Sequence, residues 1–226
     1  MQWSIHTDVH ALAGALADEL ADKLAQRLAV AGKASMAVSG GNTPKRLFRQ
    51  LSRHALAWDK IAITLVDERW VPPHAARSNA RLVADHLLQQ HAAHARFMPL
   101  YVDGVTADAA VNAITAQLQG MHPFDVVILG MGNDGHTASF FPDADNLQQL
   151  LDMRQSHAAL PVHAPSAGEP RMTLTLPTLA SARYAYLHIE GANKRAVLET
   201  ALRDRPDLPI SVVAAHMPQL VTYWCP

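Results

Sequence analysis

A short apolar run that leads into a glycine-rich polar turn lies near the middle of the chain. Val126–Leu129 is continuously apolar, a pattern typical of a strand covered on both faces in an α/β sheet. The turn after it contains Gly130, Gly132 and Gly135, and glycine lets a backbone approach a ligand closely. Its polar residues are Asn133, Asp134, His136, Thr137 and Ser139. The sequence therefore predicts a functional site at the end of a central strand.

Strands and helices are predicted to alternate along most of the chain. Leucines spaced by three and four residues predict a helix from Thr7 to about Ala31, with Thr7 or Asp8 as its cap. Further strands are predicted at about 34–38, 61–66, 97–100, 171–176 and 184–189, and further helices at about 44–51, 79–91, 107–118 and 192–202. Such alternation is typical of an α/β fold with a parallel sheet.

The pattern is less regular toward the carboxyl terminus. A helix is predicted at about 143–155, a strand and a turn-rich loop at about 157–170, and a loop at about 210–214. The apolar run Leu220–Trp224 predicts a closing strand. Neither a repeat nor a linker-like segment divides the sequence, so we expect one domain over residues 1–226.

Composition excludes several functional classes. Hydrophobic residues make up 49% of the 226 residues, which is too many for a disordered chain. Lys and Arg total 19 against 20 for Asp and Glu, so no overall positive charge attracts nucleic acid or an anionic membrane. With no apolar run of membrane-spanning length, we expect a cytoplasmic protein.

The cysteine and histidine content predicts neither a disulfide nor a metal site. Cys225 is the lone cysteine and cannot form an internal disulfide. The 13 histidines are scattered, and His91 and His94 come closest to a ligand pair. They lie in a polar helix end that we expect to face solvent. We therefore expect no metal and no cofactor.

Two further turns follow predicted strands. Ser39-Gly40-Gly41-Asn42 precedes a helix with Thr43 as N-cap and Pro44 at its first position. Free N–H groups in such a turn bind anions, although short connections produce similar turns without a ligand. The strand at 61–66 ends in Asp67-Glu68-Arg69, which places two carboxylates at the edge where α/β sheets bind ligands.

The turn at 130–135 formally matches the dinucleotide fingerprint GxGxxG. That fingerprint requires a sizeable helix after the third glycine. Here Pro142 follows within a few residues, which argues against a dinucleotide site. A purely structural turn remains an alternative, but Asp134 and His136 on either side of one glycine exceed what chain reversal requires.

Several ordered motifs together resemble the 6-phosphogluconolactonases, within the larger group that includes glucosamine-6-phosphate isomerase/deaminase. They are SGGNTP at 39–44, DERWVP at 67–72, Ser78-Asn79, GMGNDGHTASFFP at 130–142, RMTLTLP at 171–177 and GANK at 191–194. The resemblance covers nearly the whole chain. It implies a three-layer α/β sandwich, with a mostly parallel central sheet flanked by helices in the deaminase/isomerase-like, modified Rossmann arrangement.

Two positions separate the activities within this group. In the deaminases of this group, a catalytic glutamate precedes the proline that ends the glycine motif, and this chain has Phe141 at that position. The deaminases also have the sequence DEY where this chain has Asp67-Glu68-Arg69. Both departures favour the lactonase. Arg77 departs from the lactonase pattern, because an acidic residue is expected there.

The resemblance also implies roles for individual residues. His136 is the expected general base, since an imidazole with an ordinary pKa of about 6.5 can take a proton from water, and Asp134 or Asp67 would orient it. The alternative is that His136 is only a hydrogen-bonded turn residue. The expected phosphate-binding residues are Gly40, Gly41, Asn42, Arg171 and Lys194, with Arg77 as a weaker candidate. The alternative is that the cations simply face solvent.

The implied function is hydrolysis of 6-phospho-D-glucono-1,5-lactone to 6-phospho-D-gluconate in the oxidative pentose phosphate pathway. The expected partner is this small sugar-phosphate lactone, and we expect a monomer or a weak homodimer. A glucosamine-6-phosphate deaminase is one alternative, and ammonia release would identify it. A non-catalytic sugar-phosphate sensor is the other, and it would bind without turnover.

Overall fold

The computed structural model describes residues 2–226 and contains two β-sheets. Seven strands form a parallel sheet and three form a small antiparallel sheet. Along the described chain the strands are β1 Gln2–Ile5, β2 Ala34–Val38, β3 Ile61–Leu65, β4 Asp67–Arg69, β5 Arg96–Phe97, β6 Val126–Leu129, β7 Ala159–Val162, β8 Arg171–Leu174, β9 Tyr184–Glu190 and β10 Leu220–Cys225.

Helices lie between most of these strands. They are α1 Val9–Ala31, α2 Pro44–Leu51, α3 Asn79–His86, α4 Ala107–Leu118, α5 Leu147–Leu151, α6 Leu176–Ala180, α7 Ala192–Asp204 and α8 Pro209–His216. Short 3₁₀ helices cover Trp58–Lys60, Gln90–His94 and Pro165–Ala167. Within residues 2–226, every helix is too short or too polar to cross a membrane.

The large sheet has the strand order β1-β10-β9-β6-β2-β3-β5. Strand β6 is its middle strand and pairs with β2 on one side and β9 on the other, both in parallel. All four residues of β6 are buried, as a strand with helices over both faces requires. The α/β class and the mostly parallel central sheet predicted from the sequence are confirmed.

The small sheet, in the order β4-β8-β7, is the main feature that the sequence did not predict. The chain passes from β3 into β4 through Val66, whose N–H bonds to Val38 of the large sheet and whose carbonyl accepts from Leu174 of the small sheet. The antiparallel register then places Arg69 opposite Arg171 and Asp67 opposite Thr173. Two segments that are far apart in sequence are thereby brought to one place.

Several predicted boundaries were wrong. Helix α3 ends at His86 rather than near residue 91, and Gln90 has a positive φ of 50°, which an α-helix cannot contain. The helix predicted at 143–155 is only Leu147–Leu151, and the strand predicted at 97–100 is the two-residue β5. The segment predicted as a loop at 210–214 lies in α8, where Pro209 occupies the first turn, the position at which proline needs no N–H.

Helix α1 shows how the apolar pattern produces the core. Asp8, one of the two predicted caps, accepts hydrogen bonds from the N–H groups of His10 and Ala11, and the helix ends at Gly32 with φ of 70°. In its apolar stripe Leu12, Leu16, Leu20 and Leu24 are fully buried, and Val9 and Leu28 at the two ends are partly buried against the core. The predicted burial of this stripe is confirmed.

Replacing a stripe residue should destabilise the protein strongly. Leu20→Ala removes a fully buried side chain and should lower the free energy of unfolding by about 2–5 kcal/mol, because the site loses apolar burial and gains a cavity. Leu202→Ala is the matched control, since Leu202 is 39% exposed on α7, and should cost about 0.5 kcal/mol or less. Urea unfolding measures both, and equal losses would contradict this assignment of the core.

Candidate active site

One cavity of about 240 Å³ lies at the carboxyl edge of the large sheet. Its walls are the turn 39–44 after β2, the start of β4 with Asn79 of α3, the turn 130–138 after β6, Arg171 of β8, His188 of β9 and Lys194 of α7. Parallel strands end at the same edge, so turns that are distant in sequence meet there. The structure thus places two of the predicted turns and both downstream cations around one cavity.

His136 and Asp134 form a close pair in the turn after β6. His136 Nδ1 lies 2.6 Å from Asp134 Oδ1, and the same oxygen accepts from the His136 backbone N–H at 3.2 Å. A carboxylate can only accept, so Nδ1 carries the shared proton and Nε2 of the neutral ring holds the free lone pair. Asp134, and not Asp67, is the carboxylate that contacts His136.

The backbone of the turn leaves room for this pair only because residue 132 is glycine. A Cβ at Gly132 would overlap both the His136 ring and Asp134 Oδ1. The Gly132 N–H also donates to the His136 carbonyl at 2.9 Å, and Thr137 Oγ1 donates to the Gly130 carbonyl at 2.7 Å. The turn is therefore held by its own hydrogen bonds, with His136 at a defined position.

Phe141 packs beside His136 in this turn. Its ring centroid lies 4.5 Å from that of His136, and the Arg171 guanidinium carbon lies 5.5 Å from the Phe141 centroid. Phe141 is 5% exposed. At the position where the sequence comparison expects a deaminase glutamate, the structure therefore has an apolar ring that supports both His136 and Arg171.

Asp67 lines the cavity but is engaged elsewhere. Its Oδ2 accepts from Ser139 Oγ at 2.6 Å and lies 4.0 Å from an Arg171 nitrogen. Arg171 also donates to the Ala167 carbonyl at 2.9 Å, and its Nε is buried without a hydrogen-bond partner. Burial lowers the pKa of Arg171, and Asp67 opposes that shift. Asp67 is thus placed to hold a desolvated arginine rather than to orient His136.

Glu68, the second carboxylate of this motif, turns away from the cavity. It is fully buried and accepts hydrogen bonds from the backbone N–H groups of Arg69, Asn79 and Ala80 and from Ser78 Oγ. Burial raises its pKa, and these hydrogen bonds oppose the shift. Glu68 ties the start of α3 to β4, which is a structural role.

Asn79 connects the start of α3, which Glu68 holds, to the turn after β2. Its Nδ2 donates to the Asp67 carbonyl at 2.8 Å, and a Cβ at Gly40 would overlap the Asn79 side chain. Glycine at residue 40 therefore allows the turn to lie directly against α3. The predicted phosphate-binding residues Gly40, Gly41 and Asn42 line the cavity, and Thr43 makes no side-chain cap at the start of α2.

The predicted cations divide into two groups. Lys194 lines the cavity in the first turn of α7, where burial lowers its pKa and Glu190 opposes the shift. Arg77 lies outside: its side chain is 60% exposed and pairs with Glu169 at 2.9 Å. Arg69 lines the cavity instead. The position of Arg69 directly after a predicted strand is the sequence feature that could have indicated it as a site residue.

The remaining histidines and the cysteine add no metal site. Among residues 2–226, no three His, Cys, Asp or Glu side chains lie close enough together to hold a metal ion. His91 and His94 are exposed, which confirms that they face solvent. Cys225 is buried at the end of β10, and burial raises the pKa of its thiol. A thiol of raised pKa is a poor nucleophile.

The fold and the cavity define an α/β protein with a hydrogen-bonded histidine–aspartate pair, two cations and a glycine-rich turn gathered at the carboxyl edge of a parallel sheet. Residues 7–224 match the profile of the family described as glucosamine-6-phosphate isomerases/6-phosphogluconolactonase. A 6-phosphogluconolactonase of Mesorhizobium japonicum is 49% identical over 99% of this chain and 95% of its own length. One of Rhizobium meliloti is 49% identical over 88% of this chain and 87% of its own length. The chain belongs to this family.

Solved structures agree with the family assignment. A 6-phosphogluconolactonase from Shewanella baltica superposes with a TM-score of 0.95 at 37% identity, covering 100% of this chain and 98% of the other. A monomeric glucosamine-6-phosphate deaminase superposes with a TM-score of 0.82 at 16% identity, covering 100% of this chain and 97% of the other. At that identity the deaminase shows a shared fold alone.

Replacing Glu68 should destabilise the protein. Glu68→Gln replaces one carboxylate oxygen, which accepts hydrogen bonds, by an NH₂ group that faces buried backbone N–H donors. The variant should lower the free energy of unfolding by about 1–3 kcal/mol, because buried donors lose their acceptor. Glu199→Gln, at an exposed carboxylate of α7, is the matched control and should change it by about 0.5 kcal/mol or less. Chemical denaturation compares the two variants. Equal effects would remove the anchoring role of Glu68.

Proposed function

We propose that this chain hydrolyses 6-phospho-D-glucono-1,5-lactone to 6-phospho-D-gluconate, a reaction of the oxidative pentose phosphate pathway. The observation that carries the proposal is that His136, which pairs with Asp134 at 2.6 Å, lines a cavity that Arg171 and Lys194 also line. The names of relatives that are 49% identical over most of the chain support the same activity.

The proposed mechanism uses His136 as a general base. Its Nε2 takes a proton from water as the water oxygen attacks the lactone carbonyl, and the pair with Asp134 stabilises the resulting imidazolium. The bond between the carbonyl carbon and the ring oxygen then breaks, and the imidazolium returns the proton to that oxygen. The new carboxylic acid loses its proton to water. A lactone is an activated ester, so this route requires neither a metal nor a cofactor.

The phosphate of the substrate is proposed to bind the turn after β2 and the buried cations. Backbone N–H groups at Gly40, Gly41 and Asn42 suit an anion, while Lys194 contributes a point charge and Arg171 a planar donor set. Arg77 is left out, because it points to Glu169 on the exposed side of the small sheet. A cavity of about 240 Å³ fits a single small sugar phosphate.

A deaminase activity is disfavoured by the same cavity. The position that the sequence comparison assigns to the deaminase glutamate is occupied by the buried Phe141 ring, stacked beside His136. This ring can neither accept nor donate a proton. We further propose that the protein works in the cytoplasm as a monomer or weak homodimer, with the lactone as its only required partner.

A direct assay tests the proposed activity. The protein should accelerate acid release from freshly generated 6-phosphogluconolactone, after correction for spontaneous hydrolysis, and should release no ammonia from glucosamine 6-phosphate. A pH-indicator assay follows the first reaction and a coupled ammonia assay the second. Absence of any acceleration would refute the lactonase, and tight substrate binding without turnover would support the sensor alternative.

The mechanism predicts which kinetic constant each replacement changes. His136→Ala should lower kcat by roughly a hundredfold or more with little change in KM, because the base acts in the transition state. Asp134→Asn should lower kcat in the same direction, by roughly tenfold or more, because Nδ1–H loses its charged acceptor. His91→Ala, at an exposed histidine, is the control and should retain the wild-type constants. Near-normal turnover by His136→Ala would exclude this base.

A further inference from the structure

His188 is a buried histidine in the cavity wall that the mechanism above does not use. It lies near the carboxyl end of β9, its side chain is 1% exposed, and it lines the same cavity as His136 and Lys194. Neither of its ring nitrogens has a hydrogen-bond partner. Because a buried polar group without a partner costs free energy, the ring requires a group that the protein itself does not supply.

Glu190 does not meet that requirement. Alternation along β9 puts it on the same face as His188, and its Oε1 lies 3.3 Å from His188 Nε2. That oxygen also has no hydrogen-bond partner, so the two groups are close without being aligned for a hydrogen bond. Glu190 instead balances Lys194, whose positive charge it stabilises.

The position of His188 indicates which part of a substrate it would meet. Strand β9 lies directly beside β6 and leads into α7, so His188 and Lys194 belong to the same strand–helix unit of the cavity wall. Every form of an imidazole carries at least one ring N–H. A phosphate dianion offers only acceptor oxygens, and an N–H that donates to such an oxygen forms a strong, charge-assisted hydrogen bond.

We propose that His188 is a further substrate-binding residue, which donates a ring N–H to the substrate's phosphate beside Lys194. This assignment rests on the proposed function, because it takes a phosphorylated lactone as the ligand. It also accounts for a buried imidazole in the cavity wall whose ring nitrogens make no hydrogen bond within the described residues, 2–226.

Paired replacements at residue 188 test the proposal kinetically. His188→Leu fills the position with an apolar side chain of moderate size that has no nitrogen. This variant should raise KM for the phosphorylated lactone about tenfold or more. The value of kcat should stay within about threefold, because the contact is present in both ground and transition states. His188→Asn places an amide donor near the position of Nδ1 and should restore most of the binding.

Tyr186→Phe is the control for this strand. Tyr186 lies on the same face of β9, and its hydroxyl donates to Glu19 of α1, away from the cavity. The variant should keep the wild-type KM. An unchanged KM in His188→Leu, or an equal rise in Tyr186→Phe, would overturn the assignment of His188.

A binding measurement separates failure of this proposal from failure of the proposed function. Thermal shifts with 6-phosphogluconate, inorganic phosphate and gluconate require no turnover. His188→Leu should weaken the apparent affinity for the two phosphorylated ligands about tenfold and leave that for gluconate unchanged. Equal weakening for all three would place His188 at the sugar or in the scaffold, which would refute the phosphate contact.

If His188→Leu fails to fold, the wild-type protein still provides the test. With ¹⁵N-labelled histidine, the His188 ring signals, assigned by their loss in His188→Asn, should shift on titration with inorganic phosphate. The ring signals of the exposed His91 serve as the internal control. Titration to saturation of the thermal shift with no movement of the His188 signals would overturn the proposal.

Discussion

The parallel alignment of β2, β6 and β9 is the constraint that brings the turns of the candidate site together. These three neighbouring strands all end at the same edge, and each is followed by a turn or helix start that contributes to the cavity. A reversed strand would place its turn at the other side of the molecule. The buried, apolar strands therefore fix the distances between side chains that are far apart in sequence.

The small sheet brings Arg171 to the candidate site. The chain leaves the large sheet at Val66, and pairing of β4 with β8 then brings Arg171 to within 4.0 Å of Asp67. Both side chains are buried, and desolvation disfavours a charged guanidinium. Asp67 offsets part of the lowering of the Arg171 pKa by burial, and Nε remains without a hydrogen-bond partner. Such a group is prepared to bind an anion, at a cost to the stability of the protein.

The local features of the site could be predicted from the sequence, because they follow from local chemistry. Gly132 and Gly135 indicated a turn, and Pro44 marked the start of α2. Asp134 and His136, which are two residues apart in the sequence, are hydrogen-bonded in the structure, since residues on the two sides of a tight turn cannot lie far apart. The roles of these residues in catalysis and binding remain predictions.

The parts that sequence reasoning missed depend on long-range pairing. The sequence placed both Asp67 and Glu68 at the edge of the sheet, but strand alternation turns Glu68 toward α3 and Asp67 toward Arg171. Arg77 looked like a site cation, but its side chain is exposed and pairs with Glu169. The sequence did not indicate His188 as a site residue, because it lies within an apolar strand. Only the pairing of that strand with its neighbours reveals that His188 lines a cavity. Likewise, the three-residue β4 is stabilised by β8, about one hundred residues later.

We infer that Asp134 holds the proton on Nδ1 of His136 and leaves Nε2 free to accept one from water. The tautomer of His136 tests it most directly. Long-range ¹H–¹⁵N correlation spectra of the neutral ring, assigned by comparison with His136→Gln, should show a protonated Nδ1 and an unprotonated Nε2. A ring protonated on Nε2 would have no lone pair at the cavity, and would contradict the account.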